Sequence, residues 1–204
     1  MSRRSDDADA LDVSALPSFG FSHRSPVWWA TLGLIAVEGT VFALAIATYF
    51  FLRSHSDVWP MNGPPPDLFW GTLNTLVMLL SAVPNHLAKR AAERLQTEQA
   101  RLWLTVCTVM ALAFLVLRIF EFRSLNTGWD QNAYGSITWT LLGLHTTHIV
   151  TDFWDSVVLT VLLFVGPLEG KTMVDVSENA FYWYFVVLSW LPIYFVIYWA
   201  PRLH

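Results

Sequence analysis

The sequence contains one cysteine, Cys107, and few charged residues. A single cysteine excludes a disulfide within the chain and a Cys-x-x-Cys motif. Lys, Arg, Asp and Glu make up 14% of the 204 residues, whereas 54% are hydrophobic, and the mean hydropathy is +0.44. So few charges cannot solvate the surface of an ordinary soluble domain. Composition predicts a polytopic membrane protein, and a net charge of -4 without a basic face predicts no nucleic-acid partner.

Five stretches are long and apolar enough to cross a membrane, for which a helix needs about 20 mostly apolar residues. They are residues 27–52, 68–88, 102–122, 138–165 and 178–199. Helix-forming residues between 89 and 101 predict that the second and third helices extend past the membrane, and Ser177 is a candidate N-cap for the last helix. The predicted fold is all-α, with a five-helix transmembrane domain over residues 26–204. Residues 1–25 are expected to form an uncleaved polar tail on the cytoplasmic side.

Lys and Arg are distributed unevenly between the two ends of this predicted bundle. Eight lie on the side of the tail and three on the opposite side. The eight are Arg3, Arg4, Arg24, Lys89, Arg90, Arg94, Arg101 and Lys171, and the three are Arg53, Arg123 and Arg202. Because positive loops remain on the inner side, we expect the N-terminus inside and the C-terminus outside a bacterial cytoplasmic (inner) membrane. Lys89 and Arg90 are expected to meet anionic phospholipid head groups.

The fourth span carries four ionisable residues, His145, His148, Asp152 and Asp155. Helical periodicity places them within an arc of roughly 80° on one face. An unpaired Asp at the centre of a membrane helix costs about 2.5 kcal/mol or more, so this face should contact protein or water. Residues 145 and 155 are about 15 Å apart along a helix, so the four cannot bind one ion. We predict no metal site, and His86 lies at too different a depth for a bis-histidine haem site.

Two further polar positions lie inside other spans. Glu38, near the middle of the first span, is either a protonated carboxyl hydrogen-bonded between helices or a proton-linked or lipid-contacting site. Arg118 and Glu121, three residues apart in the third span, share a helix face and are predicted to form an ion pair. Pairing reduces the cost of burying both charges.

The last span resembles the last helix of subunit III of haem-copper respiratory oxidases, the cytochrome c oxidase subunit 3 family. The resemblance rests on the aromatic run at 181–186, which includes Trp183, and on Trp190, Tyr194, Tyr198 and Trp199, preceded by Glu178. Residues 143–148, Gly-Leu-His-Thr-Thr-His, are similar to the family's Gly-x-His-x-x-His segment in the preceding helix. Glu38, residues 73–76 with 80–81, and residues 114–116 with Glu121 match in the same order. The similarity covers all five spans.

This resemblance implies the shorter, five-helix form of the family, with the C-terminus on the outer face. It implies a subunit without catalytic residues or a redox centre of its own, bound to catalytic subunit I, which holds haem and copper, and to subunit II. Its expected roles are to stabilise the catalytic subunit, to support proton uptake and to hold phospholipid between helix groups. The residues expected to make interior polar, lipid or subunit contacts are Glu38, Arg118, Glu121, His145, His148, Asp152, Asp155, Glu178 and Trp183.

The chain also departs from the family pattern. Tyr184 stands where the family usually has His, Val187 where it has Asp, and Arg118 where Gln is common, while Asp152 and Asp155 lie outside the pattern. We expect these two aspartates to pair toward the inner side. The partner could belong to a cytochrome c oxidase, a quinol oxidase or a nitric oxide reductase. The alternatives are an independent membrane cytochrome or metal enzyme built on the two histidines, and a transporter using the polar face.

Overall fold

The computed structural model describes residues 19–61, 63–166 and 170–203, and these residues contain helices and no strand. The long helices are α1 (Pro26–Ser54), α2 (Leu68–Glu93), α3 (Thr97–Arg123), α4 (Ala133–Val165) and α5 (Gly170–Tyr194). A π-helical segment (Phe195–Trp199) and a 3-10 turn (Ala200–Arg202) continue α5. All five helices are long and apolar enough to cross a membrane. The predicted all-α, five-span fold is confirmed. Of the predicted tail, residues 1–18 lie outside the described residues.

Side-chain caps define where α1 and α4 begin. Ser25 caps α1, because its side chain accepts a hydrogen bond from the backbone N–H of Val27 while Pro26 occupies the first helical position. Asn132 caps α4 in the same way, by accepting from the N–H of Gly135. The second and third helices are longer than the predicted spans, and only residues 94–96 separate α2 from α3; that they extend past the membrane stays a prediction.

The predicted start of the last helix is wrong. α5 begins at Gly170, and Ser177 is buried within it rather than capping it. The Ser177 hydroxyl accepts a hydrogen bond from Lys89 Nζ at 3.0 Å and donates to Glu93 Oε1 at 3.3 Å. The residues that open α5 are partly polar, so an apolar-span criterion excludes them although the backbone is already helical.

α5 is the central helix of the bundle. It packs against α1, α2 and α4, while α3 packs between α2 and α4. α1 lies at the edge, where it contacts chiefly α4 and α5 and buries only Phe42 and Tyr49. Near the turn that joins α2 to α3, small residues such as Ala91, Ala92 and Ala100 let the two helices approach closely. This arrangement leaves a cleft between α1 and the α4–α5 pair.

Candidate functional site

A buried ion pair lies inside the bundle, near the C-terminal end of α3. Arg118 is 1% exposed, and its Nη1 donates to Glu121 Oε2 at 2.8 Å. The same carboxylate accepts from Asn74 Nδ2 at 2.8 Å and from Tyr198 Oη at 2.7 Å. The guanidinium lies over the ring of Trp190 at 4.3 Å, a cation–π contact that compensates further for lost hydration. The predicted pairing of Arg118 with Glu121 is confirmed.

His145 joins this network to two other helices. Arg118 Nη2 donates to its Nδ1 at 3.2 Å, and its Nε2 lies 3.0 Å from the carbonyl oxygen of Val186. Because arginine only donates, Nδ1 must accept and Nε2 must carry the hydrogen, which defines a neutral imidazole. Both ring nitrogens are therefore engaged, and binding a haem iron through either would break one of these hydrogen bonds.

Glu38 and His148 form a second polar contact, between α1 and α4. His148 Nε2 lies 3.3 Å from Glu38 Oε1, and His148 Nδ1 donates to the carbonyl oxygen of Leu144 at 2.7 Å. Tyr182 Oη donates to the other carboxyl oxygen of Glu38 at 2.7 Å. With Nδ1 committed to a carbonyl, Nε2 is the ring nitrogen that faces the carboxyl group of Glu38. Glu38 thus links α1 to α4 through His148 and to α5 through Tyr182.

Asp152 and Asp155 are coupled through Asn179 rather than directly. Asn179 Nδ2 donates to Asp155 Oδ2 at 2.9 Å and to Asp152 Oδ1 at 3.4 Å. Its own amide oxygen accepts from the Ser156 hydroxyl at 3.3 Å. Asn179 was not among the residues predicted from the sequence, although its position beside Glu178 and among apolar residues was a usable signal. The four ionisable residues of α4 therefore contact different partners and do not form one shared site.

Trp183 and Tyr184 are neighbours on α5, but their side chains contact different residues. The Trp183 indole donates to Ser81 Oγ at 2.9 Å, and its ring stacks on Phe114 at 5.5 Å. The Tyr184 hydroxyl group forms a hydrogen bond with His86 Nδ1 at 3.0 Å. His86 is exposed, whereas His145 is wholly buried, so the two histidines do not face a common site.

The cleft between α1 and the α4–α5 pair is a cavity of about 630 Å³. Its wall includes the carboxyl side chains of Glu38, Asp152, Asp155, Asp175 and Glu178. A second cavity of about 10 Å³ lies behind Asp152, which is room for about one water molecule. Within the described parts of the chain, no group of three or more His, Cys, Asp and Glu side chains is placed to hold a metal ion.

These features define a class: a polytopic helical membrane protein with a hydrogen-bonded polar interior and an acidic cleft. The family profile described as cytochrome c oxidase subunit III matches residues 33–201. The chain therefore belongs to the cytochrome c oxidase subunit III family. This match confirms the resemblance predicted from the sequence.

Individual relatives extend over most of the chain. Cytochrome c oxidase subunit 3 of Thermostichus vulcanus is 25% identical over 193 residues, which are 89% of this chain and 92% of the relative. Probable cytochrome c oxidase subunit 3 of Mycobacterium bovis is 29% identical over 178 residues, covering 82% and 85% respectively. Cytochrome bo(3) ubiquinol oxidase subunit 3 of Pseudomonas aeruginosa is 26% identical over 167 residues, covering 80% of each chain. The similarity indicates a subunit III of the haem-copper oxidase type.

Proposed function

We propose that this chain is a non-redox integral subunit of a haem-copper terminal oxidase in a bacterial cytoplasmic membrane. It binds catalytic subunit I, which holds haem and copper, and subunit II, in a complex that transfers electrons to oxygen and translocates protons during aerobic respiration. The observation that carries this proposal is the family match over residues 33–201. Support comes from His145, whose two nitrogens already have hydrogen-bond partners within the bundle.

The first role of the subunit is to stabilise the catalytic subunit by presenting a rigid surface. The network around Arg118 ties α2, α3, α4 and α5 together. Outside this core, α2 and α3 expose large apolar side chains such as Leu80, Val83 and Val109. Such faces are suited to contact lipid or another membrane helix, where packing rather than burial from water drives association.

The second role is to support proton uptake and to hold phospholipid. Glu38, which contacts His148, lines the cleft, and further carboxyl groups continue along its wall. Ionisable groups within a membrane protein are typical of proton pathways, so this wall is suited to supply protons to a neighbouring uptake path. The cleft also has apolar walls, formed in part by Val27, Leu34 and Leu162, that suit acyl chains.

Purification of the full chain from its native membranes in mild detergent tests the proposal. We expect it to co-purify with a large haem-copper subunit and oxidase activity. The chain expressed without its partners should show no haem absorption band and no stoichiometric metal. A solitary chain with bound haem or metal would contradict the proposal and favour the independent cytochrome or metal enzyme. Failure to co-purify with any haem-copper subunit would also contradict it.

The electron donor can be tested with the same complex. Relatives named for cytochrome c oxidase and for ubiquinol oxidase both match this chain, so both donors are candidates. Oxygen consumption driven by reduced cytochrome c, compared with consumption driven by a quinol, separates them. Nitric oxide consumption in place of oxygen consumption would instead assign the complex to a nitric oxide reductase.

A further inference from the structure

The small cavity behind Asp152 lies between α2, α3, α4 and α5. Its volume of about 10 Å³ is close to the least that one water molecule needs. Of the eight residues that line it, only Ala111 has a side chain without a nitrogen, oxygen or sulfur atom. Because the cavity is no larger than one water molecule, its lining groups all border the same point. Polar cavities of this size hold water, whereas cavities that stay empty are apolar.

The wall that α2 contributes offers hydrogen-bond acceptors and a donor. Ser81 Oγ donates to the carbonyl oxygen of Met78 at 2.6 Å and accepts from the Trp183 indole at 2.9 Å, which leaves it one lone pair. Asn85 Nδ2 donates to the carbonyl oxygen of Ala180 at 2.9 Å. The Asn85 amide has a second N–H and a carbonyl oxygen, and neither is bonded to another described residue.

The wall that α4 contributes needs a donor. Asp152 is 4% exposed, and its Oδ1 accepts a long hydrogen bond, 3.4 Å, from Asn179 Nδ2. The same Nδ2 group makes a shorter bond, 2.9 Å, to Asp155. Among the described residues, no hydrogen bond reaches Asp152 Oδ2. Buried polar groups almost always have partners, so this carboxyl group requires a further donor.

The two walls belong to helices that α3 and α5 separate. α2 packs against α3 and α5, and α4 packs against the same two helices. Ser81 and Asn85 lie on α2, whereas Asp152 lies on α4. A water molecule between them would form a hydrogen-bonded link from α2 to α4. Since Asp152 also lines the larger cleft, its carboxyl group separates that cleft from the small cavity.

We propose that the small cavity is a binding site for one ordered water molecule that joins α4 to α2. The water donates to the Asp152 carboxyl group and forms further hydrogen bonds with Asn85 and Ser81, which gives it the three partners typical of buried water. A metal ion fits less well, because the Asn85 amide presents an N–H group as well as an oxygen. The described residues also contain no group of three or more His, Cys, Asp and Glu side chains placed to hold one.

A crystal structure of the full chain, at a resolution that shows ordered water, tests the site directly. We expect one peak at hydrogen-bond distance, about 2.5–3.2 Å, from Asp152 and from Asn85 or Ser81. Asp152→Leu should abolish the peak, because it removes the charged acceptor. Asp175→Asn is the matched control: Asp175 is exposed and lines only the cleft, so the peak should remain. The wild-type structure is decisive even if Asp152→Leu fails to fold.

A double-mutant cycle tests whether the water joins the two helices. Asp152→Leu and Asn85→Leu each remove one partner of the water, and each should lower the unfolding midpoint in detergent. If one water serves both residues, the second substitution costs less once the first has displaced it. The shift in the double variant should therefore be smaller than the sum of the two single shifts, whereas independent sites give additive shifts.

Several results would overturn the inference. One is a wild-type structure that shows ordered water elsewhere in the bundle but no peak in this cavity. A peak at metal–ligand rather than hydrogen-bond distances would identify a cation instead. A peak that persists in Asp152→Leu, or additive shifts in the cycle, would show that the water does not join Asp152 to α2. None of these results depends on the oxidase complex, so each is distinguishable from a failure of the proposed function.

Discussion

At the scale of single residues, Arg118 changes the character of the bundle core. The family resemblance predicts a neutral Gln at this position, whereas this chain buries a guanidinium and balances it with Glu121. The Arg118 Nε atom and the Asn74 Oδ1 atom still lack hydrogen-bond partners among the described residues. A buried pair of this kind adds little to the net stability of the folded protein. Removing one partner is nevertheless costly, because the other charge then stays buried alone.

Removing one member of the pair tests that cost. Arg118→Met leaves the Glu121 carboxylate buried without its counter-ion, so we expect the free energy of unfolding to fall by about 3–5 kcal/mol. Thermal or denaturant unfolding in detergent measures the change. The double variant Arg118→Met, Glu121→Gln should recover part of the loss, because no uncompensated charge remains.

Arg123→Gln is the matched control, because it removes an exposed arginine near the end of the same helix. Its effect should stay within about 0.5 kcal/mol, as for most surface substitutions. A loss in Arg118→Met no larger than that in Arg123→Gln would show that the buried pair is not required for the stability of the bundle.

At the scale of the helices, the contact between α2 and the end of α5 depends on a glycine. A Cβ atom at Gly71 would overlap the ring of Tyr198, whose hydroxyl group donates to Glu121. Gly143 on α4 has no such neighbour, since nothing lies within 4 Å of the position of its Cβ. Alanine substitutions at the two glycines therefore test two effects separately, which are close helix packing at Gly71 and helix propensity at Gly143.

Gly71→Ala should destabilise the bundle by about 1–3 kcal/mol, because an added methyl group in a packed contact displaces its neighbours. Gly143→Ala should be neutral or stabilising by up to about 1 kcal/mol, since alanine is the better helix former. Both are measured as shifts of the unfolding transition in detergent. Equal effects of the two substitutions would contradict the close contact between α2 and Tyr198.

Sequence patterns predicted contacts within one helix better than contacts between helices. The spacing of Arg118 and Glu121 was sufficient to predict their pair, because neighbours on a helix face follow from its period. Asn74 and Tyr198, which bond to the same carboxylate, lie on other helices, and no periodicity relates them. The same limit applies to the contacts of Asn179 on α5 with Asp152 and Asp155 on α4. The five spans were predictable because length and hydropathy are local properties.

At the scale of the whole molecule, the orientation of the bundle in the membrane is still a prediction. The uneven distribution of Lys and Arg places the short turn between α2 and α3 inside and the loop between α3 and α4 outside. Glu98 lies beside the first of these segments and Asp130 within the second. Both side chains are exposed and can be replaced without entering the core.

Cysteine labelling in intact cells tests this orientation. In a Cys107→Ser background, Asp130→Cys should react with a membrane-impermeant maleimide, and Glu98→Cys should react only after the membrane is permeabilised. The Cys107→Ser chain without an added cysteine gives the background level of labelling. The reverse labelling pattern would place the N-terminus outside and would move the acidic cleft to the other side of the membrane.

The π-helical segment Phe195–Trp199 acts as a one-residue insertion near the end of α5. A regular α-helix over the same rise would need one residue fewer, and side chains beyond that point would turn by about 100°. Tyr198 would then face away from Glu121, and Arg202 would lose the carbonyl oxygen of Pro66, to which it donates at 2.6 Å. The number of residues after Pro192 therefore decides which side chains reach the buried network, and it matters as much as the chemistry of those side chains.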